Sequence, residues 1–142
     1  MIKKFKKQKG FTLFELLVSI SIVAILSALA IVSFSSAQKK ARDARRVQDL
    51  GLVQKAAEQY YMLNSSSYPT TFSSGTAWSV GGQTVLEAVP LDPKGVGYTA
   101  TMAAASYCVC AYIEGQGGNS VNAACDFVSA GTKQYYCVKN QQ

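Results

Sequence analysis

Few side chains in this sequence are equipped for chemistry, and they are unevenly placed. There is no histidine, which excludes a His-based triad or a His-ligated metal within the chain. Carboxylates are few and scattered, and neither a Gly-x-Ser-x-Gly turn nor a phosphate-binding glycine loop occurs. The residues therefore read as a chain without an enzyme site, a cofactor or a metal. One carboxylate stands apart. Glu15 opens an uncharged apolar run from Leu16 to Phe34. A carboxylate at the edge of a membrane segment costs a few kcal/mol unless it is partnered or reaches water, so its presence asks for a reason.

The four cysteines, Cys108, Cys110, Cys125 and Cys137, all lie in the last quarter of the chain. An even count beyond an apolar segment implies two disulfides in an oxidising space. The rival is a four-cysteine zinc site, but Cys-x-Cys followed by two isolated cysteines fits the usual C-x2-C pairs badly. Three pairings are open. Cys108 with Cys137 across neighbouring strands, and Cys110 with Cys125 to tie the loop, is the one expected.

The elements that must position these residues follow from patterning. Leu16 to Phe34 is 19 residues long without charge or proline. That matches a helix crossing roughly 30 Å of hydrocarbon at about 1.5 Å per residue. Small residues recur at Ala24, Ser27 and Ala28, where a neighbouring helix could approach closely or where any membrane span tolerates them. The chain carries a formal charge of +6, but Lys3, Lys4, Lys6, Lys7 and Lys9 all precede Gly10. Without them nine basic and eight acidic residues remain, a poor case for nucleic-acid binding. The five lysines favour a cytoplasmic N-terminus, an argument nearly cancelled by Lys39, Lys40, Arg42, Arg45 and Arg46 at the far end of the apolar run.

Residues 11–64 read as one helix, with no proline before Pro69. Its second half is amphipathic, with Val47, Leu50, Val53, Ala57 and Tyr60 forming an apolar stripe at spacings of three and four. Arg45, Arg46, Asp49, Lys55 and Glu58 fall mostly off it. Asp43–Arg46 and Lys55–Glu58 are spaced as helical ion pairs. The basic run from Lys39 to Arg46 reads either as a lipid-headgroup contact or as a solvated face. Gly51 marks a soft point or a close contact. Asn64 to Pro69 ends the helix. Thr70 to Pro90 reads as a long surface loop with a short helix near Val85 to Ala88, and with Trp78 packed on the core. Tyr98–Met102, Tyr107–Glu114 and Gln134–Val138 read as strands that cover the helix stripe. The tyrosines Tyr60, Tyr61, Tyr107, Tyr112, Tyr135 and Tyr136 read as core and subunit contacts rather than as a platform for single-stranded DNA.

The basic head, Lys9-Gly10, Phe11-Thr12-Leu13-Phe14-Glu15 and the apolar helix behind them resemble the class III leader of type IV pilins and pseudopilins. Ala41 to Arg46, Tyr60 to Asn64 with Tyr68-Pro69, and Asp92-Pro93 look most like the type II secretion G-type branch. The resemblance implies an α+β fold, a long N-terminal helix packed by a small C-terminal antiparallel sheet. It implies cleavage after Gly10 by a membrane prepilin peptidase, methylation of the freed Phe11 amine, and an assembly role for Glu15. A side chain at position 10 would crowd a protease that must admit extended backbone. The segments expected are 1–10 leader, 11–36 membrane and filament-core helix, 37–64 amphipathic helix, and 65–142 connecting loop and disulfide-stapled sheet. The implied partners are further copies in a helical filament, the peptidase and methyltransferase, an inner-membrane assembly platform, and the bilayer before assembly. The leader would be cytoplasmic and the C-terminal domain extracytoplasmic. A pseudopilin of a short secretion or DNA-uptake filament is the first alternative. A monomeric membrane-anchored binding domain is the alternative from another class. Many relatives carry a proline inside the membrane half of the helix, and this sequence does not. Some G-type relatives hold calcium in the C-terminal loop. Here that loop offers Glu114, Asp126 and asparagines, too few carboxylates to expect it.

Overall fold

The computed structural model describes residues 10–142. The lysine head and most of the expected 1–10 leader lie outside the described residues. The architecture is α+β: one helix, α1 (Leu13–Leu63), followed by five strands. These are β1 (Trp78–Val80), β2 (Gln83–Leu86), β3 (Thr99–Ala103), β4 (Ser106–Tyr112) and β5 (Tyr135–Lys139). The chain divides into two compact units, one ending at Ala37 and one running from Gln38 to Gln142.

In the first unit every residue from Gly10 to Ala37 is exposed. Its apolar side chains point outward all round, as in a helix whose solvent is lipid or other helices. Two of its serine hydroxyls are satisfied within the helix. Ser19 Oγ donates to Glu15 O at 2.7 Å and Ser21 Oγ to Val18 O at 2.8 Å. Such back-bonding lets serine sit where water is absent.

The second unit has its own core. Leu50, Val53, Ala56 and Ala57 of α1 are buried with Tyr107, Val109 and Ala111 of β4 and Val138 of β5. Tyr68, Trp78, Leu86, Val89 and Tyr98 complete it. The apolar stripe is real, but its first member differs from the one expected. Val47 is 36% exposed, whereas Arg46 is 3% exposed. Arg46, Leu50, Val53, Ala57 and Tyr60 keep the spacing of four, three, four and three. A helix face follows position, and polarity alone misassigned Arg46. Gly51 makes no close contact, because a Cβ there would meet nothing within 4 Å. The helix ends where Ser65 and Ser66 take φ values of +51° and +60°. Ser66 N then donates to Tyr61 O at 3.1 Å, satisfying a last-turn carbonyl.

The stretch expected as a loop with a short helix is a β-hairpin instead. β1 and β2 pair antiparallel, with Val80 opposite Gln83. The two residues between them, Gly81 and Gly82, have φ of +57° and +82°. Two left-handed residues in a two-residue loop match the twist of the flanking strands, and glycine takes that conformation without strain. Val85 and Leu86, expected in a helix, therefore lie in β2.

The second sheet has the order β3-β4-β5, antiparallel throughout. Its strands fall within about two residues of those expected. The register corrects the cysteine pairing. Cys110 lies directly opposite Cys137, and those two are bonded, with Cα atoms 4.1 Å apart. Cys108 lies opposite Lys139 instead, so it reaches Cys125 in the loop, with Cα atoms 5.9 Å apart. Cys108 and Cys110, two apart on β4, do share a face. The loop between β4 and β5 is held further by Asn119, whose Oδ1 accepts from Cys137 N at 2.7 Å while its Nδ2 donates to Cys137 O at 2.9 Å.

Candidate assembly and processing site

The N-terminal motif sits at the first turn of α1. Gly10, Phe11 and Thr12 precede the helix, and all are exposed. Thr12 is the N-cap. Its Oγ1 accepts from Glu15 N at 3.2 Å. In return Glu15 Oε2 accepts from Thr12 N at 2.9 Å and from Thr12 Oγ1 at 2.8 Å. This is a capping box, which satisfies donors that the first turn would otherwise leave bare. The signal was in the sequence as Thr12-x-x-Glu15, and reading Glu15 only as an assembly residue passed over it. The carboxylate is thus engaged by its own backbone one residue beyond Phe11. The structure places Gly10, Phe11 and Glu15 within one exposed turn and its lead-in.

A second concentration of charge lies in the unit from Gln38 onward, and the sequence reading missed most of it. Arg46 Nη1 contacts Asp43 Oδ1 at 2.7 Å and Glu114 Oε1 at 2.9 Å, while its Nε and Nη2 grip Asp92. Arg42 makes a two-pronged pair with Glu114, each bond 2.8 Å, and Lys94 Nζ adds a third cation to Glu114 at 2.8 Å. Asp43 also accepts from Glu114 N and Gly115 N. Three cations meet three carboxylates, so the cluster is neutral. Its effect is to fasten the turn at Asp92 and the start of the β4–β5 loop to α1. Arg42 and Arg46 thus belong neither to a lipid contact nor to a solvated face. The Asp43–Arg46 pair is present. Glu58 instead accepts from Tyr68 Oη at 3.0 Å, Tyr107 Oη at 3.1 Å and Gln141 N at 3.1 Å.

These contacts set the titration of the groups. The Arg42 and Lys94 hydrogen bonds hold the Glu114 carboxyl far below the usual carboxylate range. Burial pushes Asp92 upward, but Arg46 and the Lys94 N–H outweigh it and its carboxyl is lowered. Burial, then Glu58, pushes the Tyr68 phenol up to about 12. Burial and Asp49, bonded to Tyr98 Oη at 2.7 Å, raise Tyr98 as well. A depression of about 300 Å³ is lined by Arg46, Asp92, Lys94, Tyr98, Tyr112 and Glu114 among others. Its four charged side chains are already paired with one another.

The chain thus joins a helix with an exposed apolar N-terminal half to a small, disulfide-stapled antiparallel sheet. Residues 5–31 match the family described as the prokaryotic N-terminal methylation motif. The type II secretion system core protein G of Escherichia coli is 32% identical over 92 residues, covering 65% of this chain and 58% of that protein. Its counterpart in Vibrio cholerae is 36% identical over 70 residues, covering 49% and 47%. A fimbrial protein of Pseudomonas aeruginosa is 29% identical over 90 residues, covering 63% and 56%. The chain is thus similar to type II secretion core proteins G and to a fimbrial protein. It spans about half the length of the curated relatives it matches. No solved structure matches the chain significantly.

Proposed function

We propose that this chain is the structural subunit of a type IV pilus-like filament, cleaved after Gly10, methylated at Phe11 and polymerised through the first half of α1. The observation that carries this reading is the pairing of the methylation motif with a helix left fully exposed from Gly10 to Ala37. Such a surface needs a cover. The bilayer supplies it before assembly, and neighbouring helices supply it afterwards. The leader stays cytoplasmic, and the unit from Gln38 onward sits on the other side of the membrane.

Glu15 sets the register of the stack. Cleavage creates a positive amine at Phe11, and two unit charges about 4 Å apart at an effective dielectric near 20 attract by about 4 kcal/mol. In an axially staggered stack the Glu15 carboxylate of an incoming copy leaves its Thr12 cap for the Phe11 amine of its neighbour. A buried polar pair of this kind fixes alignment, as it does in coiled coils. Glu15→Leu should therefore insert into the membrane and lose its leader normally, yet yield few filaments. Fractionation with mass spectrometry of the N-terminus reads the first two, and electron microscopy of sheared material reads the third. Normal filament yield from this variant would refute the register role.

The similarity to core protein G favours a second reading, a pseudopilin of a short envelope-bound filament. Long surface filaments in the same micrographs support the pilin reading, and short envelope-bound ones the pseudopilin.

A further inference from the structure

The two disulfides are stacked on one another. Cys110 Sγ lies 3.6 Å from Cys108 Sγ and 4.0 Å from Cys125 Sγ, although neither is its bonded partner. The bonds differ in access. Cys108 and Cys125 are half-buried, whereas Cys110 and Cys137 are 1% and 2% exposed. Cys125 also holds a left-handed backbone, φ +56°, that a non-glycine residue keeps only under constraint.

We propose that the Cys108–Cys125 bond is the thiol-reactive site of this chain, taking a small monothiol at Cys108, and that Cys125 relays the exchange inward to Cys110. In the first step the monothiol, as its thiolate, attacks Cys108 Sγ. A mixed disulfide forms at Cys108, and the Cys125 thiolate leaves. In the second step the Cys125 thiolate attacks Cys110 Sγ, forming Cys110–Cys125 and expelling Cys137 as a thiolate that takes a proton from water. One disulfide is broken and one formed at each step, so the sequence needs no external oxidant. Asn122 O stands 3.6 Å from Cys137 Sγ, an acceptor in place for the new thiol. Attack by Cys108 on Cys110 is disfavoured, because residues two apart on one strand hold their Cβ atoms too far apart for a relaxed bond.

The test uses the full-length chain in detergent micelles with reduced glutathione, acid-quenched at intervals, alkylated, and mapped by mass spectrometry without reduction. The expected early species carries glutathione on Cys108, a Cys110–Cys125 bond and an alkylated Cys137. Alkylated Cys125 with Cys110–Cys137 intact would overturn the relay, and so would a Cys108–Cys110 bond. Retention of both native bonds, under conditions that reduce the denatured chain, would overturn the reactive site itself. In the double variant Cys108→Ser/Cys125→Ser the relay is removed and no outer thiol is left, so Cys110–Cys137 should survive for as long as the unchanged chain takes to lose it. Equal loss in the two chains would show direct attack on the inner bond and defeat the proposal.

Discussion

Arg46 occupies a core position on α1 that the pattern of its neighbours would assign to a hydrophobic side chain. A guanidinium is tolerated there because its donors meet Asp43, Asp92 and Glu114. Glu114 carries the clearest consequence. Its folded carboxyl titrates below its unfolded value of about 4, because Arg42, Lys94 and Arg46 bind the charged form. The unfolded chain then binds more protons between those two values. The stability this group adds is present above the unfolded value and is lost as pH falls through the folded one. The unfolding midpoint should fall steadily below about pH 5. Glu114→Gln should be less stable near neutrality and show a shallower fall in acid, as circular dichroism melts across a pH series would reveal. An identical slope in the two proteins would place the acid sensitivity elsewhere. The sequence shows the charges of Lys39 to Arg46 and the local Asp43–Arg46 pair, but not the distant partners. Asp92 and Glu114 are 46 and 68 residues from Arg46, and no local spacing announces such a pair.

At the scale of elements, legibility followed how local the determining physics is. The helix was plain because its apolar and amphipathic periods are written within each turn. β3, β4 and β5 were plain because β-branched and aromatic runs lie between glycine- and serine-rich breaks. The hairpin signal, Gly81-Gly82 between Val80 and Gln83, is local too, but the surrounding serines and glycines carry the composition of a loop. Disulfide pairing was set by strand register, which depends on turn lengths and side-chain fit across β4 and β5, and composition does not fix it. The β4–β5 loop depends on a close approach. A Cβ on Gly118 would lie 2.2 Å from Lys133 O and 2.7 Å from Tyr135 O. Gly118→Ala should therefore push the loop off β5 and cost about 3 kcal/mol, since backbone cannot yield as a flexible side chain can. Chemical denaturation measures this, and a change under about 0.5 kcal/mol would mean the loop simply shifts.

The whole molecule divides its tasks between its units. Among the described residues every buried hydrophobic side chain lies at Leu50 or beyond, and the unit from Gln38 onward holds both disulfides and the neutral ion cluster. The fragment Gln38–Gln142 should therefore fold, form both disulfides and stay monomeric without the first unit. Sedimentation velocity and peptide mapping test this, and a fragment that oligomerised would move the assembly surface away from the apolar helix.

Both covalent staples fall between Cys108 and Cys137, and none spans the chain from the end of α1 to β4. A pull on the sheet resisted at the helix would first strain contacts that only packing and ion pairs hold. The segment from Asn64 to Tyr107 can pay out about 150 Å at full extension, at roughly 3.4 Å per residue. Beyond the first sulfur bridge the chain cannot lengthen without breaking one. Under such a pull the span between α1 and β4 would give first, and the bridges would then halt further lengthening.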